Sequence, residues 1–437
     1  MKLLPSKRRL KRIAIGLGVV VALLLIVNGL FAWWTERQWQ NRLDAIRAAG
    51  DPASIADLTP KPIADELNAA VYIENIGPTL ERFERAYAEF DNTDIGKSYE
   101  ETRDRNELPT SEQSQAMAAI LEAHIEIPKA VDAAVATGRY ASRLDYSLGK
   151  NDFLEEMLDS PVQIRSVARY YGWLMRTLVA ERRQEEAVQA GLKMLMLIRL
   201  YDSEPTIVNH LLANASREIS IRGIDYALRA GPIAPEMRRA LDDELILQDD
   251  PKVLVHALKT ERALVSSIWD SDTQQMTPIV ARSLGWPIKR YYIGVLDFYD
   301  NQLALAAEPW HEVEKQIGRD GASKTPTGFG FLADLLIPAI EAVYESSNRS
   351  GAMVRALRIS NSLAAYREQH GRDASGLDKL PLLKDTTIDP FSGLPLKLKL
   401  TGNGWAIYTV FRNGMDDGGD FRDQKDYGLA PPGYQAK

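Results

Sequence analysis

Residues Ile13 to Trp34 read IAIGLGVVVALLLIVNGLFAWW, 22 residues without a charge. A helix of that length rises about 33 Å, enough to cross the hydrocarbon core of a bilayer. Six basic side chains (Lys2, Lys7, Arg8, Arg9, Lys11 and Arg12) and no acid precede the run. By the positive-inside rule the N-terminus is expected in the cytoplasm and the chain from Thr35 onward outside. The pattern predicts a single-pass protein of the inner membrane with a periplasmic bulk. Arg8, Arg9, Lys11 and Arg12 are expected at the inner interface, and Trp33, Trp34 and Trp39 at or just beyond the outer one. A cleaved signal peptide is the competing reading, but its apolar region is usually about 7–15 residues and ends in a small-x-small site. Here Phe31-Ala32-Trp33-Trp34 stands where cleavage would fall, so an uncleaved signal-anchor is expected.

The chain has 437 residues and a formal charge of -7. Once the six N-terminal cations are set aside, 47 basic groups face 60 acidic ones. An acidic body is a poor match for nucleic acid, which binds a positive surface. There is no cysteine, which excludes disulfides, thiolate zinc sites and cysteine nucleophiles together.

Downstream of the apolar run the pattern is helical. Residues 35–50 continue the anchor as a juxtamembrane helix, stopped by Asp51-Pro52. A second helical run spans residues 64–90, residues 91–112 read as a loop, and a helix follows through Thr137. From 161 to 270 apolar residues recur at helical spacing in runs divided by short breaks, as in Val162–Glu181, Gln184–Tyr201, 205–230, 235–247 and 251–270. Short connections imply antiparallel neighbours, so a solenoid-like α-helical array is expected. Residues 271–327 are less regular, with breaks at Pro278, Pro287 and Pro309, and GRDGASKTPTGFG (318–330) reads as a linker. The apolar stretch 331–340 contains Asp334 and Pro338 and is expected to be a buried core helix. A further helix over 352–370 ends at Gly371, a C-cap residue.

Beyond Gly371 the period changes from helical to alternating. Leu396, Leu398 and Leu400 alternate with lysines, and Trp405, Ile407, Thr409 and Phe411 form a second run. Thr401-Gly402-Asn403-Gly404 between them predicts a hairpin. The expected fold class is therefore mainly α, with an N-terminal transmembrane helix, a helical array and a small α+β C-terminal module. The expected divisions are a basic tail (1–12), the membrane helix (13–34), a juxtamembrane and first helical region (35–160), the array with its linker (161–327), and a long helix with the α+β module (328–437).

The module carries a recognisable order of residues. Ala364 to Arg372 (AAYREQHGR) is followed by Leu377-Asp378-Lys379-Leu380, then Asp389-Pro390-Phe391-Ser392-Gly393-Leu394-Pro395-Leu396, and finally Asn413-Gly414-Met415-Asp416-Asp417-Gly418-Gly419-Asp420. This resembles the C-terminal domain of the major pseudopilins of type II secretion systems. It is also similar to the ends of large membrane-anchored envelope proteins of planctomycete-type bacteria, as is the stretch RLYDSEPTIVNHLLANASREISIRGIDYAL (199–228). The resemblance implies a helix packed on a short sheet, and a final loop that in major pseudopilins binds calcium. Asp416, Asp417, Asp420 and Asp423 are the ligands it implies, with Asp426 close by. Calcium takes 6–8 oxygen ligands, and glycines permit the tight turns. The alternative is a solvated acidic turn balanced by Arg412, Arg422 and Lys425. No prepilin-peptidase site precedes Ile13, so the resemblance does not extend to a pilus subunit.

Other chemistry is sparse. None of the five histidines (His124, His210, His256, His311 and His370) forms HExxH or an i,i+4 pair. The sequence GRDGASKT lacks the glycine that precedes the lysine of a phosphate loop. Arg165 and Arg169, and Arg355 and Arg358, share helix faces, which suits either the lining of a groove or, as the favoured expectation, pairing with acids. No catalytic residue is assigned. The expected function is a membrane-anchored envelope scaffold with protein partners. The alternatives are an accessory component of a type II secretion or pilus-like system, and a hydrolase with a site between helices.

Overall fold

The structure is a computed structural model that describes residues 7–148, 150–159, 162–274, 278–317 and 330–434. The first helix, α1 (Lys7–Ala48), runs unbroken through the apolar segment and beyond it. Its apolar window has a mean hydropathy of 2.7 and contains no buried residue, and the helix is long and apolar enough to cross a membrane. Arg8, Lys11 and Arg12 are exposed before it; the side chain of Arg9 lies outside the described residues. Trp33 and Trp34 are exposed at its far end. Trp39 is not at the interface as expected: it is fully buried with Leu43 and Ile46. Three residues spaced by four and three share one helix face, and that face joins the protein core instead of lipid.

Five short helices follow: α2 (Ala69–Asn75), α3 (Gly77–Asp91), α4 (Asp94–Asp104), α5 (Ser111–Glu122) and α6 (Glu126–Thr137). The expected loop over 91–112 is in part a helix. Thr93 caps α4 by accepting from the Gly96 amide at 3.0 Å, and Tyr99 is buried against Phe90 and Trp173. One buried aromatic face is enough to hold a short polar segment helical. At Thr110 a capping box with Gln113 opens α5.

The array comprises α7 (Lys150–Asp159), α8 (Val162–Ala180), α9 (Gln184–Tyr201), α10 (Ile207–Ala230), α11 (Pro235–Gln248), α12 (Lys252–Gln274), α13 (Pro278–Ala306) and α14 (Trp310–Ile317). The expected break at Pro287 does not occur, because α13 continues through it. Losing one backbone hydrogen bond and taking a ring clash costs about 3 kcal/mol. Burial of Tyr292, Val295, Leu296, Phe298 and Tyr299 on the same helix outweighs that cost. The linker 318–329 lies outside the described residues. Then α15 (Gly330–His370) forms one helix where two were expected.

Helix α10 is the centre of the body, packed by α8, α9, α12 and α15. Gly191 on α9 lets α10 approach, since a Cβ there would collide with Ile224. One core gathers α2–α6, α8–α11, the C-terminal half of α15 and the sheet; a second gathers the outer end of α1 with α12, α13 and the first half of α15; a third, smaller one joins Phe153 and Met157 of α7 to Ile55, Leu144, Tyr146 and Leu264.

The module is a three-stranded antiparallel sheet in the order β1 (Lys397–Thr401), β2 (Gly404–Thr409), β3 (Tyr427–Leu429). Thr401 pairs with Gly404, so Gly402-Asn403 forms the two-residue turn. The third strand had no visible alternation in so short a segment. Trp405 on β2 docks the module: Arg367 lies over its ring at 4.4 Å and Arg229 at 5.0 Å. Its Nε1 donates to Ser360 Oγ at 3.2 Å, and Arg229 also donates to its carbonyl at 2.7 Å.

The two tryptophan environments give a direct comparison. Trp39→Ala is expected to cost about 3–5 kcal/mol by cavity formation. Trp33→Ala, at an exposed position, should stay within about 0.5 kcal/mol. Urea denaturation of the detergent-solubilised protein reads both.

Candidate functional site

The turn Asp202-Ser203-Glu204-Pro205-Thr206 joins α9 to α10. Thr206 has φ +90°, a strained value for a β-branched residue. Its surroundings hold it there. The Thr206 amide donates to Thr260 Oγ1 at 3.1 Å, and its own Oγ1 accepts from the Asn209 amide. Asn209 in turn donates to the Pro205 carbonyl at 2.7 Å and accepts from the Tyr201 hydroxyl at 3.0 Å.

Past this turn, α10 carries a polar stripe at helical spacing: Thr206, His210, Asn214 and Arg217, all buried. The hydrogen bonds fix its orientation. Arginine can only donate. Its Nη1 reaches Asn214 Oδ1 at 2.6 Å, so the Asn214 amide nitrogen faces His210 Nε2, 3.1 Å away. Nε2 is therefore the acceptor and Nδ1 carries the proton. Ser347 Oγ on α15 donates to the same Nε2 at 2.7 Å. His210 Nδ1 is buried and has no hydrogen-bond partner among the described residues. Burial, with the Arg217 charge nearby, pushes His210 down to about 3, so the ring is neutral at physiological pH. Arg217 also binds Gln248 at 2.6 Å and Asp202 at 2.5 Å.

His210, Asn214, Arg217 and Ser347 line a cleft of about 440 Å³. Trp310 and Tyr344, stacked at 5.3 Å, form an apolar wall, and Arg355 and Asp249 are paired at 2.7 Å on the rim. A serine on a histidine is the beginning of a nucleophilic pair, but no carboxylate orients Nδ1. A base with a pKa near 3 gives little drive for proton abstraction at neutral pH. The arrangement offers hydrogen bonds more readily than it offers a nucleophile.

On the other side of the turn lies a second cavity of about 660 Å³, lined by Asp51, Tyr140, Ser142, His256 and Lys259 among others. Glu204 is buried beside it, accepting from the Tyr140 hydroxyl at 2.7 Å, with Oε2 unpartnered. Burial pushes its carboxyl up to about 7.

The four aspartates expected to bind calcium do not close on one point. Asp420 is taken by Arg422 at 2.8 Å and Lys425 at 3.3 Å, which hold its carboxyl well below the usual range. Asp416 accepts from the Tyr408 hydroxyl and the Gly418 amide, and pairs with Lys397 at 3.4 Å. Asp417 accepts from Asn413 at 2.6 Å, and Asp423 is exposed with φ +53°. Asp426 is buried, accepts from the Gly419 amide at 2.8 Å, and leaves Oδ1 without a donor at hydrogen-bond geometry. Burial raises its pKa against those amide contacts. Among the described residues no three His, Cys, Asp or Glu side chains are grouped to hold a metal. As they stand, the residues do not fit a calcium ion.

Of the arginine pairs expected to meet acids, Arg169 pairs with Glu84, Arg355 with Asp249 and Arg358 with Asp242. His370 stacks on Tyr366 at 4.0 Å at the end of α15. Of the residues that converge at the cleft, His210 and Arg355 were named in the sequence but not brought together, and Asn214, Arg217 and Ser347 were not singled out, because the cleft is a meeting of α10 with α15. The one available signal was the 4, 4, 3 spacing of Thr206, His210, Asn214 and Arg217, and it was masked by the other polar residues of the helix, among them Asn209, Glu218, Arg222 and Asp225. Comparison with family models, curated proteins and solved structures gives no match.

Two predictions follow from these titrations and pairings. A Glu204 pKa raised from 4.5 to about 7 means that the folded state holds the proton more tightly than the unfolded one. Its contribution is full below the lower value and is lost as pH rises through the higher one. Melting temperature should therefore fall over that window in the wild type, and Glu204→Gln should flatten the profile. Calcium and chelator should give equal melting temperatures; a calcium-dependent rise that disappears in Asp426→Asn would instead place a metal beside that carboxylate.

Proposed function

We propose that the protein is a membrane-anchored envelope scaffold or interaction protein. Its N-terminus lies in the cytoplasm, its bulk in the periplasm, and the cleft on α10 receives a ligand or partner segment. The observation that carries this reading is the buried His210 N–H without a partner among the described residues, beside Asn214, Arg217 and Ser347, which are paired. Burying a polar stripe costs stability unless every group is paired. Arg217, Asn214 and Ser347 are paired, while the remaining donor suits a partner that brings a carbonyl or carboxylate beside the Trp310–Tyr344 wall.

The tether supports a scaffold of fixed stance. Trp39, Leu43 and Ile46 lock the outer end of α1 into the body, and Arg42 pairs with Asp297 and Asp300 on α13. The body is thus held against the bilayer without a flexible stalk. The basic residues before Ile13 support the orientation.

The hydrolase reading keeps one observation in its favour, the 2.7 Å contact of Ser347 with His210. The low basicity of that histidine weighs against it. The resemblance of the module to pseudopilins supports an accessory role in a secretion machine as a narrower form of the scaffold reading.

Affinity capture from solubilised envelope separates these. A partner should be retained by the wild type and reduced several-fold with His210→Ala, while both remain membrane-bound. Capture that is indifferent to His210 would remove the cleft from the proposal. Recovery of secretion subunits would favour the accessory role. Fluorophosphonate labelling of the wild type that vanishes in Ser347→Ala would favour the hydrolase and overturn the binding reading.

A further inference from the structure

Helix α13 runs beside α1, and its ties fix the register. Trp286 Nε1 donates to Asn28 Oδ1 at 2.9 Å, and the indole stacks on Phe31 at 5.3 Å. One turn further on, Arg290 lies over the Trp34 ring at 5.9 Å and Lys289 pairs with Glu36. Beyond these, Arg42 reaches Asp297 at 3.0 Å. Residue numbers increase together on both helices, so the two are parallel and rise away from the membrane side by side.

Trp34 closes the apolar run. Asn28 lies six residues before it, which is about 9 Å deeper along the helix. Trp286 is fixed at that depth, within the outer leaflet and not in the aqueous body. Helix α13 begins eight residues earlier still, at Pro278. Below Asn28 the anchor is uncovered, with Leu24 at 64% and Leu25 at 62% exposure. The two helices therefore part there, and the first turns of α13 spread beside the anchor.

The chemistry of that stretch suits lipid. Residues 278–288 read PIVARSLGWPI, with Arg282 as the one charge. Ile288 is an exposed large apolar side chain. Lys289 is buried against Glu36, and the exposed Arg290 follows at the level of Trp34, where cations and indoles meet headgroup phosphates. The contact also accounts for Asn28, the one strongly polar side chain of the run: Trp286 supplies the hydrogen bond that hydrocarbon cannot.

We propose that residues 278–288 of α13 form a second membrane-contacting element, a wedge seated in the phospholipid of the outer leaflet beside the anchor. The proposal rests on α1 being a membrane anchor. The chain has no cysteine, so single cysteines report without background. Full-length protein carrying a fluorescent NBD label at Val20→Cys, Leu284→Cys, Ile288→Cys or Glu236→Cys is reconstituted in phosphatidylcholine–phosphatidylglycerol vesicles. Labels at 20, 284 and 288 should be quenched by doxyl lipids and be several-fold less accessible to aqueous iodide than the label at 236. Position 288 is already exposed, so its label tests the wedge without disturbing packing. If 284 and 288 are open to iodide while 20 reports lipid, the wedge is wrong and the anchor stands. If 20 is itself open to iodide, the anchor reading fails and the wedge falls with it. Shielding of 284 and 288 from both quenchers reports protein cover, by the body or a second copy, and overturns the proposal.

Discussion

The structure turns on the burial of α10. A helix packed by four others keeps only a narrow solvent face, here Val208, Ala215, Ile219 and Arg222, yet this one carries the polar His210, Asn214, Arg217 and Asp225 inside. Each must find a partner within the protein. That need organises much of what surrounds it. Arg217 ties the α9–α10 turn to α11 through Asp202 and Gln248, and Asp225 accepts from Arg229 and Ser360. Trp405 of the C-terminal sheet then joins the same group through Ser360 and Arg229. The module is thereby held to the array by polar contacts that only one docking geometry satisfies.

The membrane side follows a different rule. In α1 the apolar face extends beyond the exposed membrane-length run and becomes core, so that run and the body share one uninterrupted helix. Parallel packing of α13 on α1 carries that continuity back along the apolar run. With α1 as the proposed anchor, a rigid connection of this kind would fix the height and direction of the cleft relative to the membrane, which a disordered linker of the same length would leave free.

Much of the fold could be read directly from residue patterns. The boundaries of α8 and α9 coincide with breaks in helical periodicity, and the hairpin falls at the Gly402-Asn403 turn. The failures have specific causes. α4 looked like loop because its polar residues outnumber its apolar ones, and Tyr99 and its neighbours decide its state only through contact with Phe90 and Trp173. Pro287 looked like a break because local propensity cannot weigh the apolar face that α13 buries. Spacing in the acidic loop likewise does not show that Arg422 and Lys425 bind Asp420.

Sequence alone determined that the chain has one apolar helix long enough for a membrane, a helical body and a small β ending. These properties are local: a run of uncharged residues, a period of 3.6 and a period of 2 are each written in neighbouring positions. The tertiary structure alone decided that Trp39 belongs to the core, that α13 stands beside the anchor, and that His210 meets Ser347 across 137 residues of chain. A side chain's protonation and partners depend on what is brought against it from elsewhere in the chain, and no local pattern carries that information.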